Sequence, residues 1–179
     1  MIFFTSDLHF GHSKEFLWGP RGFSSSEEHD EEIIRKWNQK VGEEDIVYIL
    51  GDLMLEDNIS GMSKLSQLNG CFIVIRGNHD TDARLIAYGL CDKILSVKAA
   101  DYLRDGKWTF YLSHFPTKVG NYDDEQRHNK FYNLCGHTHT SDRWLDFTEC
   151  KAYHVELDAH DCAPVSIEEI KNDIRNYAP

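Results

Sequence analysis

Five short polar blocks punctuate this chain: Asp7-Leu8-His9, Gly51-Asp52, Gly77-Asn78-His79-Asp80, His114 and Gly136-His137-Thr138-His139. Each directly follows an apolar run rich in β-branched or aromatic residues. Such runs read as strands, so the pattern puts every block at the C-terminal end of a strand, where open α/β sheets build their sites. A chain that must bring five separate strand ends to one rim has few folds open to it. The side chains gathered there are carboxylates, an amide and imidazoles, the oxygen and nitrogen donors that divalent cations take.

The remaining segments fit an alternation of strands and helices. Residues 2–5, 45–50 and 71–76 read as buried strands. Residues 26–38 read as a helix whose acidic start (Glu27, Glu28, Asp30, Glu31, Glu32) suits the positive end of the helix dipole. A short helix is expected over 60–68, closed by Asn69-Gly70, and another over 81–89. Residues 93–100 and 108–113 flank Asp105-Gly106, a hairpin signal from which the sheet is expected to turn antiparallel. Further strands are expected over 131–135 and 153–157. Ser166 and Glu169 spell the capping box of a last helix. Residues 11–25 and 117–130 resist assignment. Both directly follow polar blocks, which places both beside any cleft there.

Length and charge narrow the classes further. At 179 residues and 41% hydrophobic content, one domain over 1–179 with a substantial core is expected. The first apolar run is too short for a signal peptide, and no stretch approaches the ~20 apolar residues of a membrane span. A cytoplasmic protein with no membrane partner is the expectation. Cys71, Cys91, Cys135, Cys150 and Cys162 form no CxxC pair, and an odd, widely spaced set is no disulfide framework, so they read as reduced. A net charge of −11 argues against a stable nucleic-acid partner. It does not argue against an anionic substrate, because bound cations dominate a local field. The oligomeric state stays open.

Taken singly, the blocks are weak. Asp7-x-His9 at a strand end also reads as a hydrogen-bonded polar pair whose members, in a continuing strand, would share one face. Asp52 and Asn78 also read as turn residues. His137 and His139 are the more telling pair, because two imidazoles are costly at a strand end unless they bind something. Together and in order, the blocks resemble the calcineurin-like metallophosphoesterase superfamily, whose pattern is DxH, GD, GNH(D/E), H and GHxH. The match spans residues 7–139.

That resemblance implies an α/β fold of two mixed β-sheets packed as a sandwich flanked by helices, a four-layer αββα arrangement. It also implies two divalent metal ions. One would be held by Asp7, His9, Asp52 and His139, the other by Asp52, Asn78, His114 and His137, with Asp52 as the bridge. His79 resembles the histidine that contacts phosphate and protonates the leaving group, and Asp80 its orienting partner. Two divalent cations against two carboxylates leave the site positive even with a bridging hydroxide, so an anion is drawn in. The donors favour Mn, Fe or Zn over Ca without choosing among the three, and Mn is the expectation.

The expected activity is hydrolysis of phosphodiester, and also phosphomonoester, bonds of a small or nucleotide-like substrate through that hydroxide. A metal-dependent nuclease acting on DNA or RNA is the alternative enzyme. A non-catalytic scaffold of the same fold is the alternative outside catalysis, and the intact set of blocks argues against it. His12 and Arg21 are candidates to face the substrate, against the plainer reading of loop residues. His29, His128, His154 and His160 read as surface or packing residues. Trp18, Trp37, Trp108 and Trp144 read as core and rim packing.

Overall fold

In the computed structural model, residues 1–119, 130–146 and 151–177 are described. Strands β1 (Ile2–Thr5), β2 (Ile46–Ile49), β3 (Cys71–Ile75) and β4 (Ile94–Lys98) pair side by side in parallel, and β10 (Val165–Ser166) adds to β1 antiparallel, giving the order β10-β1-β2-β3-β4. A second sheet has the order β5-β6-β7-β9-β8, from β5 (Asp101–Asp105), β6 (Trp108–Leu112), β7 (Lys130–Cys135), β8 (Trp144–Asp146) and β9 (Lys151–His154). Both sheets are mixed and helices flank them, as the sequence led us to expect.

The apolar runs of β1 to β3 are unbroken because both faces of that sheet are covered. Phe3, Val47, Ile49, Phe72 and Val74 pack under Ile33 and Trp37 of α2 (Ser26–Lys40), Leu65 of α3 (Asn58–Ser66) and Tyr88 of α4 (Asp82–Tyr88). Their neighbours Phe4, Tyr48, Leu50 and Ile75 face the other way, into a core shared with Trp108, Phe110, Leu112, Leu134 and Tyr153 of the second sheet. Helix α5 (Ile167–Asn176) lends Ile170 and Ile174 to that core. The Ser166 and Glu169 capping box opens it as expected.

Several expectations need correction. The hairpin partner of β6 is β5, not residues 93–100, which contain β4 of the other sheet. β5 is an edge strand whose residues alternate between half-buried and exposed, so it carries no continuous apolar run. The second sheet is not antiparallel throughout, since β6, β7 and β9 run parallel. Helix α3 starts two residues early because the Asp57 carboxylate accepts from the amides of Ile59 and Ser60. The strand expected over 153–157 lies at Lys151–His154 and gives way to a 3-10 turn over Leu157–Ala159. The unassigned stretch 11–25 holds a one-turn helix, α1 (Glu15–Trp18).

His29, His154 and His160 are all buried, so they are packing rather than surface residues. Cys71, Cys91, Cys135 and Cys162 are free thiols. Cys150, His128 and most of the 117–130 stretch lie outside the described residues. Among the described residues no helix is long and apolar enough to cross a membrane.

Candidate metal centre

Because β1, β2 and β3 are parallel, their C-terminal ends emerge side by side, and the ends of β6 and β7 do the same in the second sheet. The Asp7 amide donates to the Gly51 carbonyl and the His9 amide to the Asp52 carbonyl, both at 3.0 Å, which stitches the first block to the second. The backbone then leaves strand geometry. Asp7, His9, Asp52, His137 and His139 have φ of 57°, 50°, 58°, 76° and 50°. A side chain in this left-handed region costs about 1–2 kcal/mol, so surrounding structure must impose it. Asp7 and His9 therefore converge through two twisted residues rather than through a continuing strand. Glycine is needed at Gly51, where φ is +97° and a Cβ would stand 2.6 Å from the Gly77 Cα. A Cβ on Gly136 would fall on the Asp7 carboxylate.

All seven candidate ligands meet at one place. The His9 and His139 Nε2 atoms are 3.2 Å apart, and each lies 3.7 Å from Asp7 Oδ1. Asn78 Oδ1 is 2.7 Å from His114 Nε2 and 2.9 Å from His137 Nδ1. Asp52 Oδ2 sits between these groups, 3.8 Å from His9 Nε2 and 3.5 Å from His114 Nε2. Within the wider set, Asp7, His9 and His139 form one group able to hold a cation, and Asp7, Asp52 and His114 a second.

Three observations fit cations at this place. His114 Nδ1 lies 2.8 Å from the Leu50 carbonyl and must donate to it, so Nε2 turns a lone pair toward the Asn78 oxygen. Asp158 Oδ2 accepts from His139 Nδ1 at 3.2 Å, which leaves Nε2 as the ring atom that faces His9. Asp7 Oδ1 is buried without a hydrogen-bond partner. Converging lone pairs and an orphaned carboxylate oxygen are what a bound cation would satisfy. The ionisation states divide: Asp7 and His9 are held in metal-binding forms, whereas burial raises the Asp52 carboxyl and, against burial, Asp158 and Asp7 raise the His139 ring. Burial would push the Asp7 carboxyl up, but His9, His114 and His139 outweigh it and hold it down at about 2. Burial pushes His9 toward its neutral, ligating form.

The supporting residues differ from expectation. Asp80 is buried, and its carboxylate accepts from the amides of Asp52 (3.0 Å) and Gly77 (2.8 Å) and from the Tyr88 hydroxyl (2.8 Å). It braces the backbone under Asp52 and does not orient the His79 ring. His79 itself is exposed, its amide donating to Asp52 Oδ1 (2.8 Å) and its ring 5.4 Å from that of His9.

Arg21 does not reach toward substrate. Its side chain is 1% exposed and grips Asp158 with two bonds, Nε to Oδ1 at 3.0 Å and Nη2 to Oδ2 at 2.7 Å. It also donates to the Asp7 carbonyl and meets His29 Nε2 at 2.9 Å. Behind His29 stand the buried Asp30 and then the half-buried Lys64, so a polar chain backs the candidate ligand His139. Burial would raise the Asp158 carboxyl, yet His139 and Arg21 hold it well below the usual carboxylate range. Asp158 is the site residue that sequence reasoning missed, since a lone aspartate in a 3-10 turn carries no motif.

The donors open into a cleft of about 480 Å³. His12, Phe16, Leu17 and Pro20 form its other wall, so the 11–25 stretch does border the site.

Comparison with known proteins adds the following. The family model of the calcineurin-like phosphoesterase superfamily domain matches residues 1–152. The Gene 66 protein of Mycobacterium phage D29 is 33% identical, over 97% of this chain and 96% of its own length. That of phage L5 is 31% identical, over 87% and 86%. The solved structure of AQ665 from Aquifex aeolicus superposes with a TM-score of 0.70 at 22% identity, covering 96% of this chain and 98% of that one, and so shares the fold.

Proposed function

The chain belongs to the calcineurin-like phosphoesterase superfamily, and from that premise we propose that it hydrolyses phosphodiester bonds of a small substrate, using two divalent cations, with Mn²⁺ preferred. The observation that carries this reading is the meeting of seven oxygen and nitrogen donors whose lone pairs converge with an unpaired buried carboxylate oxygen. Asp7, His9, Asp52 and His139 would hold one cation, and Asp52, Asn78, His114 and His137 the other. The position of Asp52 Oδ2 between His9 and His114 supports its role as the bridge. Such a pair supplies Lewis-acid charge to a phosphoryl oxygen and lowers the pKa of a coordinated water.

The chain's own residues do the rest. Only Asp7 and Asp52 among the seven are anionic, so the loaded site stays positive and attracts a phosphoester. His79 stands exposed at the rim beside His9, with no bond from its ring to the ligand set, which leaves it free to give a proton to the departing oxygen. Asp80 and Asp158 keep Asp52 and His139 in place.

The test is turnover of bis(p-nitrophenyl) phosphate by protein loaded with Mn²⁺, Zn²⁺ or Fe²⁺, alongside metal content by mass spectrometry. His79→Ala should keep its metal and lose about 10²-fold or more in kcat, the usual size of a general-acid effect. Asp52→Ala should lose metal as well. Inactivity with every metal, or full metal content in Asp52→Ala, overturns the proposal.

A further inference from the structure

We infer that the wall made by Phe16, Leu17, Pro20 and His12 is a subsite for one planar aromatic ring carried by the phosphoester. This rests on the phosphoesterase reading above and specifies its substrate class. Leu17 is buried and anchors α1, which leaves its neighbour Phe16 74% exposed while lining the cleft. The Phe16 ring meets the His12 ring edge-on at 5.1 Å, and His12 meets the ring of the ligand His9 edge-on at 5.8 Å. A row of rings thus leads from the metal donors to an open phenyl group inside one cleft. The Lys14 amide donates to His12 Nδ1 at 3.1 Å, which puts the proton of the neutral ring on Nε2 as a donor for a heteroatom on the bound ring.

Charge selects against the alternatives. Among the described residues lining the cleft none is Lys or Arg, and Asp158 is one of them. Arg21 is committed to Asp158, and Arg84, beside His79, to the carbonyls of His79 and Glu56. Beyond the metal donors, then, no Lys or Arg among the described residues lining the cleft is there to receive a second phosphate. A polynucleotide or polyphosphate gains affinity from such a cation at each further phosphate it places. A single phosphoester bearing an aryl group or nucleobase needs none. The cleft volume suits a ligand of that size.

The experiment is calorimetric titration of the Mn²⁺-loaded protein with two non-hydrolysable probes, methylphosphonate and phenylphosphonate. They present the same phosphonate to the metals and differ mainly in the ring. Phenylphosphonate should bind about tenfold tighter, a typical stacking gain. Phe16→Ala should erase the difference while leaving methylphosphonate affinity and metal content unchanged. Equal affinities, or a ring preference that survives Phe16→Ala, would overturn the subsite and leave the phosphoesterase reading standing. If neither probe binds, both fall.

Discussion

Replacing Asp158 by alanine removes the carboxylate that pairs with Arg21. The side chain is 1% exposed and, among the described residues, would keep the His29 ring, the Asp7 carbonyl and, at 3.4 Å, His139 Nδ1 as partners. Breaking a buried pair from one side costs about 3–5 kcal/mol. Asp158 lines the cleft and is 13% exposed, so water reaches the vacated position and the lower figure applies. Against a stability of about 5–15 kcal/mol this is a large loss, and it should appear as a fall in Tm of about 6–12 °C in metal-free protein. His139 loses the carboxylate at its Nδ1 in the same step, so metal affinity should drop about 10- to 100-fold. The two effects separate in the double variant Arg21→Met/Asp158→Leu, which should recover most of the stability and none of the metal affinity. Urea unfolding of the metal-free proteins and competitive Mn²⁺ titration read the two quantities. If Asp158→Ala unfolds within about 0.5 kcal/mol of the parent, the error of the assay, and binds metal equally well, Arg21 does not depend on Asp158 and the reasoning fails.

Two further outcomes follow from the packing. Burial lowers the His160 pKa to about 4, with its Nε2 donating to the His154 carbonyl. The unfolded chain takes up that proton near 6.5 and the folded chain only near 4, so stability should fall as pH drops through that window, by on the order of 3 kcal/mol. His160→Gln, which keeps a donor, should flatten that part of the pH profile in chemical denaturation. Gly51→Ala meets both a positive φ and the Gly77 backbone, and should destabilise by more than about 1–2 kcal/mol and displace Asp52. Retained stability and metal content in that variant would show that the close approach is not required.

The parts of the fold that could be read in advance are those where burial leaves a continuous trace. Strands β1, β2 and β3 are apolar on both faces, so Phe3-Phe4, Val47-Tyr48 and Phe72 to Ile75 announce themselves. Strand β5 lies at a sheet edge, and β10 is two residues long, and neither writes a periodic pattern. The ligand blocks were legible because each pairs a short motif with a strand end. Arg21 and Asp158 were not, because they lie 137 positions apart and neither carries a local signal of its partner. Arg21 looked like a free loop arginine for the same reason. The open face of Phe16 was equally hidden, since only the tertiary structure turns α1 toward the site.

The division of the seven donors between the sheets has a consequence for how the molecule holds together. Asp7, His9, Asp52 and Asn78 follow strands of the first sheet, whereas His114, His137 and His139 follow strands of the second. In the proposed assignment each cation draws on both sets. Metal uptake would then act as a rivet between two layers that meet through apolar packing at their centre and through a few bonds at the rim, such as His114 Nδ1 to the Leu50 carbonyl. A ligand present at a hundred times its dissociation constant stabilises the folded state by about 2.7 kcal/mol. Most of that linkage would fall on the docking of one sheet against the other, so chelation should loosen the union of the sheets before it melts either of them.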